Sequence, residues 1–134
     1  MKPVKQIFSA EELATRVNAM ATEIAADITG NLTVIGILKG SFIFLADLVR
    51  ALDRDGLPSR VEFLRLSSYG NKQKASGDVV LIGGYPNVDD EGTILLVDDI
   101  VDTGNSITYA MNLLRAGGTV NIKTCTLLDK PSRR

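Results

Sequence analysis

The sequence contains no histidine, no tryptophan and only one cysteine, Cys125, among its 134 residues. Without histidine it cannot form a Ser-His or Cys-His nucleophile pair, nor a metal site built on imidazole ligands. A single cysteine excludes an intrachain disulfide and a cysteine-rich zinc site. Because Cys125 stands in an apolar stretch, we expect it to be a small residue of the hydrophobic core.

Long apolar runs and an excess of charge of one sign are also missing. No run approaches the roughly 18 apolar residues of a membrane span, and the first residues, 1–5, lack the apolar segment of a signal peptide. Fifteen basic and sixteen acidic residues leave a net charge of -1, which indicates neither a nucleic-acid surface nor an acidic tail. We therefore expect a single domain over residues 1–134 that is cytoplasmic and has no nucleic-acid or membrane partner.

Apolar patterning predicts helices that alternate with strands. Ser9 and Glu12 form a capping-box pattern before an amphipathic helix that ends at Gly30. The later predicted elements are a strand at 32–38, a helix at 42–52, strands at 61–67, 79–82 and 94–97, a helix that opens at 103–106 and ends at 114, and a strand at 119–128. This order predicts an α/β fold, a Rossmann-like three-layer structure with a largely parallel sheet and helices on both faces. Ligands of such sheets bind beyond the carboxyl ends of the strands.

The most informative stretch is residues 94–106, ILLVDDIVDTGNS. An apolar strand leads into carboxylates at Asp98, Asp99 and Asp102, and a small polar loop then opens a helix. Backbone N–H groups of residues 103–106 would lie at the helix N-terminus, where unpaired donors and the helix dipole favour a phosphate. Within that loop Gly104 permits close approach of the backbone, and the side chains of Thr103 and Ser106 add hydroxyl donors.

The three carboxylates need a ligand of their own, because crowded acids repel one another unless a cation or a hydroxyl group lies between them. A sugar diol or a divalent metal with its waters would satisfy them. Carboxylates beside a phosphate cradle therefore favour a ligand that carries both a phosphate and a ribose. The alternative is an aspartate-rich turn in which Asp102 or Thr103 merely caps the helix.

This stretch resembles the 5-phosphoribosyl-1-pyrophosphate motif of the type I phosphoribosyltransferases, and four other segments agree in the same order. Leu38-Lys39-Gly40 is similar to the family's pyrophosphate loop. Residues 65–70 are similar to the start of its flexible catalytic loop, residues 77–84 to the return from that loop, and residues 127–130 to the strand whose terminal lysine reads a purine. Together these segments resemble the hypoxanthine(-guanine) phosphoribosyltransferases over residues 7–134.

The resemblance implies purine salvage: transfer of the phosphoribosyl group from phosphoribosyl pyrophosphate to hypoxanthine or guanine, giving IMP or GMP and pyrophosphate, with Mg²⁺ as cofactor. It implies that Asp102 is the catalytic acid/base and that Lys130 reads the 6-oxo group of the purine. The implied phosphoribosyl-binding residues are Asp98, Asp99, Asp102, Thr103, Gly104, Asn105 and Ser106, and the implied pyrophosphate-binding residues are Lys39, Gly40, Ser68 and Tyr69. Asp98 and Asp99 would contact the metal indirectly.

Two departures from the family are visible. Members of the family continue beyond the position of Lys130 with a segment that supplies a purine-stacking aromatic residue, an acidic Mg²⁺ ligand and an arginine. The resemblance therefore implies a phosphoribosyltransferase domain without the purine-binding C-terminal segment, and reduced or absent turnover. Asn105 stands where a basic residue often occurs, which implies a weaker phosphate contact. Family members commonly form homo-oligomers, dimers or tetramers.

Two other readings stay open. One is a non-catalytic regulator of the same fold that binds phosphoribosyl pyrophosphate or nucleotides; the acid at Asp102 argues against it, because that position tends to lose its acid in such regulators. The other is a general doubly wound nucleotide-binding protein. The sequence lacks both G-x-G-x-x-G and G-x-x-x-x-G-K-[ST], which disfavours the dinucleotide and P-loop classes.

Overall fold

The computed structural model describes residues 9–38, 40–68, 79–88, 92–101, 105–119 and 121–129. Three helices and five strands occupy these residues. In chain order they are α1 (Ala10–Asp27), β1 (Leu32–Leu38), α2 (Phe42–Arg54), β2 (Arg60–Ser68), β3 (Val79–Ile82), β4 (Thr93–Val101), α3 (Asn105–Ala116) and β5 (Ile122–Asp129). None of the helices in this part of the chain has the length and apolar character that crossing a membrane requires.

The strands form one sheet in the order β3-β2-β1-β4-β5. The central strand β1 pairs in parallel with β2 on one side and with β4 on the other, and β5 continues in parallel beyond β4. The strand β3 is antiparallel to β2. The sheet is therefore largely parallel, as the alternation of predicted helices and strands indicates.

Helices cover both faces of the sheet and divide the core in two. Along β1 the side chains of Leu32 and Val34 pack with α1 and α2, whereas Ile35 and Ile37 pack with α3. This alternation is the period of a strand whose two faces are both buried. The helix α3 closes its side with Leu114, which is fully buried. The predicted three-layer α/β architecture is confirmed.

The start of α1 is the capping box that the sequence predicts. The Ser9 hydroxyl accepts the Glu12 N–H at 3.1 Å, and the Glu12 carboxylate accepts the Ser9 N–H at 3.1 Å. The hydrogen bond from the Ser9 backbone holds the pKa of the Glu12 carboxyl below its usual value. Two of the orphan N–H groups at this end of the chain's first helix are therefore satisfied from within the chain.

Several element boundaries differ from the sequence prediction, most clearly the end of β4 and the start of the last strand. The strand β4 continues four residues beyond the predicted end at Val97, because β5 pairs with it as far as Val101. Asp98 and Asp99 therefore lie in a strand and not in a loop. The helix α3 begins at Asn105, within the predicted opening at 103–106. The last strand begins at Ile122 rather than at Thr119, because the Thr119 N–H bonds back to the Leu114 carbonyl at 3.1 Å and closes the end of α3.

Candidate functional site

The sheet has a topological switch point between β1 and β4. From β1 the chain passes through α2 on one face and returns as β2, whereas from β4 it passes through α3 on the other face and returns as β5. Because the two connections leave the sheet in opposite directions, a crevice opens beyond the carboxyl ends of these two strands. Gly40 follows β1, and the acid-rich end of β4 lies on the neighbouring strand.

The helices that leave this crevice have N-termini suited to an anion. Neither α2 nor α3 has an acidic residue in its first turn. The Ser41 side chain, at the N-cap position of α2, makes no capping hydrogen bond. The contrast is α1, which carries Glu11 and Glu12 in its first turn and caps itself. Unpaired N–H groups and the positive end of the helix dipole favour phosphate groups at the starts of α2 and α3.

Asp98 supplies a carboxylate beside this crevice. It is half-buried near the end of β4 and lies directly opposite Thr126 of β5. It lies two residues after Leu96 and therefore on the same face of β4, and Leu96 packs on the α3 side of the sheet. The carboxylate of Asp98 therefore shares a sheet face with α3, whose first turn carries the half-buried Ser106. An acid and a helix N-terminus on one face fit a ligand that has both hydroxyl and phosphate groups.

The predicted loop segments fall at the expected edge where the structure describes them. Ser68 ends β2, and its backbone pairs with Val79 at the start of β3. Asp129 ends β5 opposite Val101 of β4, so the strand that precedes Lys130 ends at this same edge. For Asp99, Asn105 and Ser68 the backbone alone is described. The predicted site residues Lys39, Tyr69, Asp102, Thr103, Gly104 and Lys130 lie outside the described residues, so their predicted roles stay predictions.

Three residues that connect the strands and helices around this site were not predicted from the sequence. The hydroxyl of Ser41 donates to the carbonyl of Ile37 at the end of β1, and Gly36 leaves the space into which Ser41 and α2 pack. The Tyr109 hydroxyl accepts the Leu81 N–H at 3.1 Å and so ties β3 to α3. A glycine inside a strand is a signal of close backbone approach, whereas no sequence signal pointed to the partner of Ser41 or of Tyr109.

A cavity of about 700 Å³ lies at the opposite edge of the sheet, between the turns that precede β1 and β2. It is larger than the cavity of about 570 Å³ that Gly40 helps to line, yet its chemistry is poor for a phosphate. The C-terminal ends of α1 and α2 open onto it and so does Asp55. The partial negative charge of those helix ends repels an anion, and the single cation Arg60 is exposed on its rim. We assign the candidate site to the carboxyl edge on chemical grounds.

Comparisons with known proteins agree with this geometry. A family model described as "Phosphoribosyl transferase domain" matches residues 3–134. The hypoxanthine-guanine phosphoribosyltransferase of Aquifex aeolicus is 41% identical over 136 residues, and the match covers 99% of this chain and 74% of the relative.

Solved structures give the same result. A hypoxanthine-guanine phosphoribosyltransferase of Bacillus anthracis, solved with a HEPES molecule in its active site, superposes with a TM-score of 0.86 at 34% identity and covers 100% of this chain and 78% of its own. The hypoxanthine phosphoribosyl transferase of Trypanosoma cruzi superposes with a TM-score of 0.83 at 34% identity and covers 98% of this chain and 75% of its own. The fold, the switch-point crevice and these similarities together show that the chain belongs to the type I phosphoribosyltransferase family, among the hypoxanthine(-guanine) phosphoribosyltransferases.

Proposed function

We propose that this chain binds phosphoribosyl pyrophosphate at the carboxyl edge of β1 and β4 and transfers its phosphoribosyl group to hypoxanthine or guanine. The products are IMP or GMP and pyrophosphate. The observation that carries the proposal is the meeting of two helix starts without acidic residues, those of α2 and α3, at one switch point beside the carboxylate of Asp98. Such a site matches a ligand with a phosphate at each end and a sugar between them.

The 5′-phosphate would lie at the start of α3. Its oxygens would accept N–H groups of residues 103–106 and the hydroxyls of Thr103 and Ser106. The amide of Asn105 would add a neutral donor. The ribose hydroxyls would donate to Asp98 and Asp99, which lie at successive positions near the end of β4. This placement puts C1 of the ribose between β4 and the turn after β1.

The pyrophosphate would lie at that turn, where Lys39 and Gly40 supply donors, and Ser68 and Tyr69 would approach it from the end of β2. A bound Mg²⁺ ion would neutralise part of the negative charge on the leaving pyrophosphate. In the part of the chain that the structure describes, no cluster of three or more potential metal ligands converges. Mg²⁺ is commonly held by substrate phosphates and waters with one or two carboxylates nearby. We assign that indirect role to Asp98 and Asp99.

The reaction exchanges one bond at C1 for another. A nitrogen of the purine imidazole ring forms the new C–N bond, the C–O bond to pyrophosphate breaks, and its electron pair leaves with the pyrophosphate. The transition state resembles the oxocarbenium ion of glycoside chemistry. Asp102 would take the proton from the purine nitrogen, and Lys130 would donate to the 6-oxo group. The preference for 6-oxopurines over adenine would follow from this donor.

The test combines calorimetric titration with an assay of IMP formation. We expect the wild-type chain to bind phosphoribosyl pyrophosphate with Mg²⁺, not to bind NAD, and to form IMP from hypoxanthine at a reduced rate. Asp102→Asn should reduce the rate of IMP formation by about 100-fold or more and change donor affinity much less, because the amide has the shape of the carboxyl group but cannot take a proton. Asp53→Asn, at an exposed position in the last turn of α2, is the matched control and should change neither property.

Each result of this test has a distinct meaning. Absence of donor binding would contradict the proposal as a whole. Donor binding without IMP formation in the wild-type chain would favour the non-catalytic regulator of the same fold.

A further inference from the structure

Ser41 is buried at the turn between β1 and α2, with 0% of its surface exposed. A serine at the N-cap position normally accepts an N–H from the first turn of its helix. Here its side chain makes no such bond. Instead, the hydroxyl donates to the backbone carbonyl of Ile37, the second-last residue of β1.

The same residue is held from the helix side. The Ser41 carbonyl accepts the Leu45 N–H at 2.8 Å, which is the first helical hydrogen bond of α2. Ser41 is therefore bonded to both neighbouring elements. Its side chain bonds to the strand β1, and its backbone carbonyl accepts a hydrogen bond from the helix α2. Gly40 lies directly before Ser41 in the chain.

The residues around Ser41 leave little room for a different position of its side chain. A Cβ atom on Gly36 would lie 3.1 Å from the Ser41 hydroxyl oxygen and 2.5 Å from Leu45 Cδ1. Leu45 itself is buried. The strand carries no side chain at the one place where the hydroxyl and the helix must approach it. This close approach fixes where the first turn of α2 starts.

We propose that Ser41 is a positioning residue for the pyrophosphate end of the donor. By donating to Ile37 rather than capping α2, its hydroxyl fixes the backbone of the turn that carries Gly40 and leaves the first N–H groups of α2 available to the pyrophosphate oxygens. The side chain itself does not contact the ligand. This inference rests on the proposed function and assigns a residue to one end of its site.

The prediction is a selective loss of affinity. Removing the hydroxyl in Ser41→Ala frees the turn, so the donors to pyrophosphate must be ordered when the ligand binds. We expect the Kd for phosphoribosyl pyrophosphate and for pyrophosphate to rise by about tenfold or more, from the loss of one buried hydrogen bond. The Kd for IMP, which has a 5′-phosphate and no pyrophosphate, should stay within about twofold of the wild-type value, because its anchor lies at α3.

The measurement is calorimetric titration of the full chain with each of the three ligands, with Mg²⁺ present for the first two. Ser59→Ala is the matched control: it also removes a hydroxyl beside a sheet edge, but the Ser59 hydroxyl has no hydrogen-bond partner in the described part of the chain and lies at the opposite edge. It should leave all three affinities unchanged. If Ser41→Ala does not fold, Ser41→Cys carries the test, because a thiol of similar size is a weaker donor.

Two results would overturn the inference alone, and a third would refute the proposed function. Unchanged pyrophosphate affinity in a folded Ser41 variant would show that the hydroxyl does not position that subsite. An equal loss for pyrophosphate and IMP would show a general structural effect. A wild-type chain that binds none of the ligands would refute the proposed function itself, and the role of Ser41 with it.

Discussion

Cys125 is a residue of the described part of the chain whose acid–base chemistry is changed by burial. Its side chain faces α1 and α2 from β5 and is 8% exposed. Burial raises the pKa of the thiol from 9.0 to about 11, against a smaller opposing effect from the positive charge of Arg16. The expectation that this lone cysteine is a small core residue is therefore confirmed. Its raised pKa keeps it in the neutral, unreactive form at physiological pH.

This shift predicts a dependence of stability on pH. The folded state holds the thiol proton more tightly than the unfolded state, so the stabilisation is fully present below pH 9 and is lost as the pH rises toward 11. A shift of this size corresponds to at most about 3 kcal/mol. Urea unfolding at pH 7.5, 9 and 10.5 should show a steeper loss of free energy of unfolding for the wild-type chain than for Cys125→Ala. Parallel pH profiles for the two chains would contradict the burial of the thiol.

Single residues also show what sequence reasoning could and could not supply. The capping box of Ser9 and Glu12 was predictable because both partners lie within one turn of the chain. Ser41 was not, because its residue type predicts an ordinary N-cap, and only the packing of α2 against β1 directs the hydroxyl backward. Tyr109 bonds a strand 28 residues away. Neither of these partners follows from local spacing.

At the scale of elements, the contact between β1 and α2 depends on Gly36. The φ of Gly36 is not positive, so its backbone conformation does not require a glycine. It is required because a side chain there would meet Leu45 and Ser41 inside the core. The free energy of unfolding of a variant with a side chain at position 36 therefore tests how closely α2 approaches β1.

We expect Gly36→Ala to lower the free energy of unfolding by about 1–3 kcal/mol, as overpacking of a core does. Gly84→Ala is the matched control, because nothing lies within 4 Å of a Cβ atom there and its φ is not positive. It should be neutral or raise the stability by up to about 1 kcal/mol, by reducing the freedom of the unfolded chain. Chemical denaturation of both variants decides the matter; equal effects would mean that α2 does not pack closely on Gly36.

Element types were more predictable than element ends. All three helices and five strands in the described residues were predicted, because the helices are long apolar segments and the strands are short apolar runs bounded by turn residues. The end of β4 was missed, since its acidic residues have the composition of a loop and only pairing with β5 extends it to Val101. The antiparallel direction of β3 was not assigned. It depends on pairing with β2, from Ser68 opposite Val79 to Arg65 opposite Ile82.

At the scale of the whole molecule, the order of strands explains why separate motifs form one site. The turn after β1 and the acidic segment of β4 are about 60 residues apart in the sequence, and parallel pairing of their strands brings them to one edge. The prediction that ligand-binding motifs follow strand ends needed only the α/β alternation. That these two ends flank the switch point required the observed order β3-β2-β1-β4-β5.

The central claim is that phosphoribosyl pyrophosphate binds at this switch point. The most direct measurement is a titration of the ¹⁵N-labelled chain with phosphoribosyl pyrophosphate and Mg²⁺, followed by the backbone amide resonances. We expect the largest shifts at Gly40 and at Ser106 and Ile107 in the first turn of α3, while Gly56 and Arg60 at the opposite edge stay unchanged. Shifts centred on Gly56 and Arg60, or no shifts at a saturating donor concentration, would contradict it.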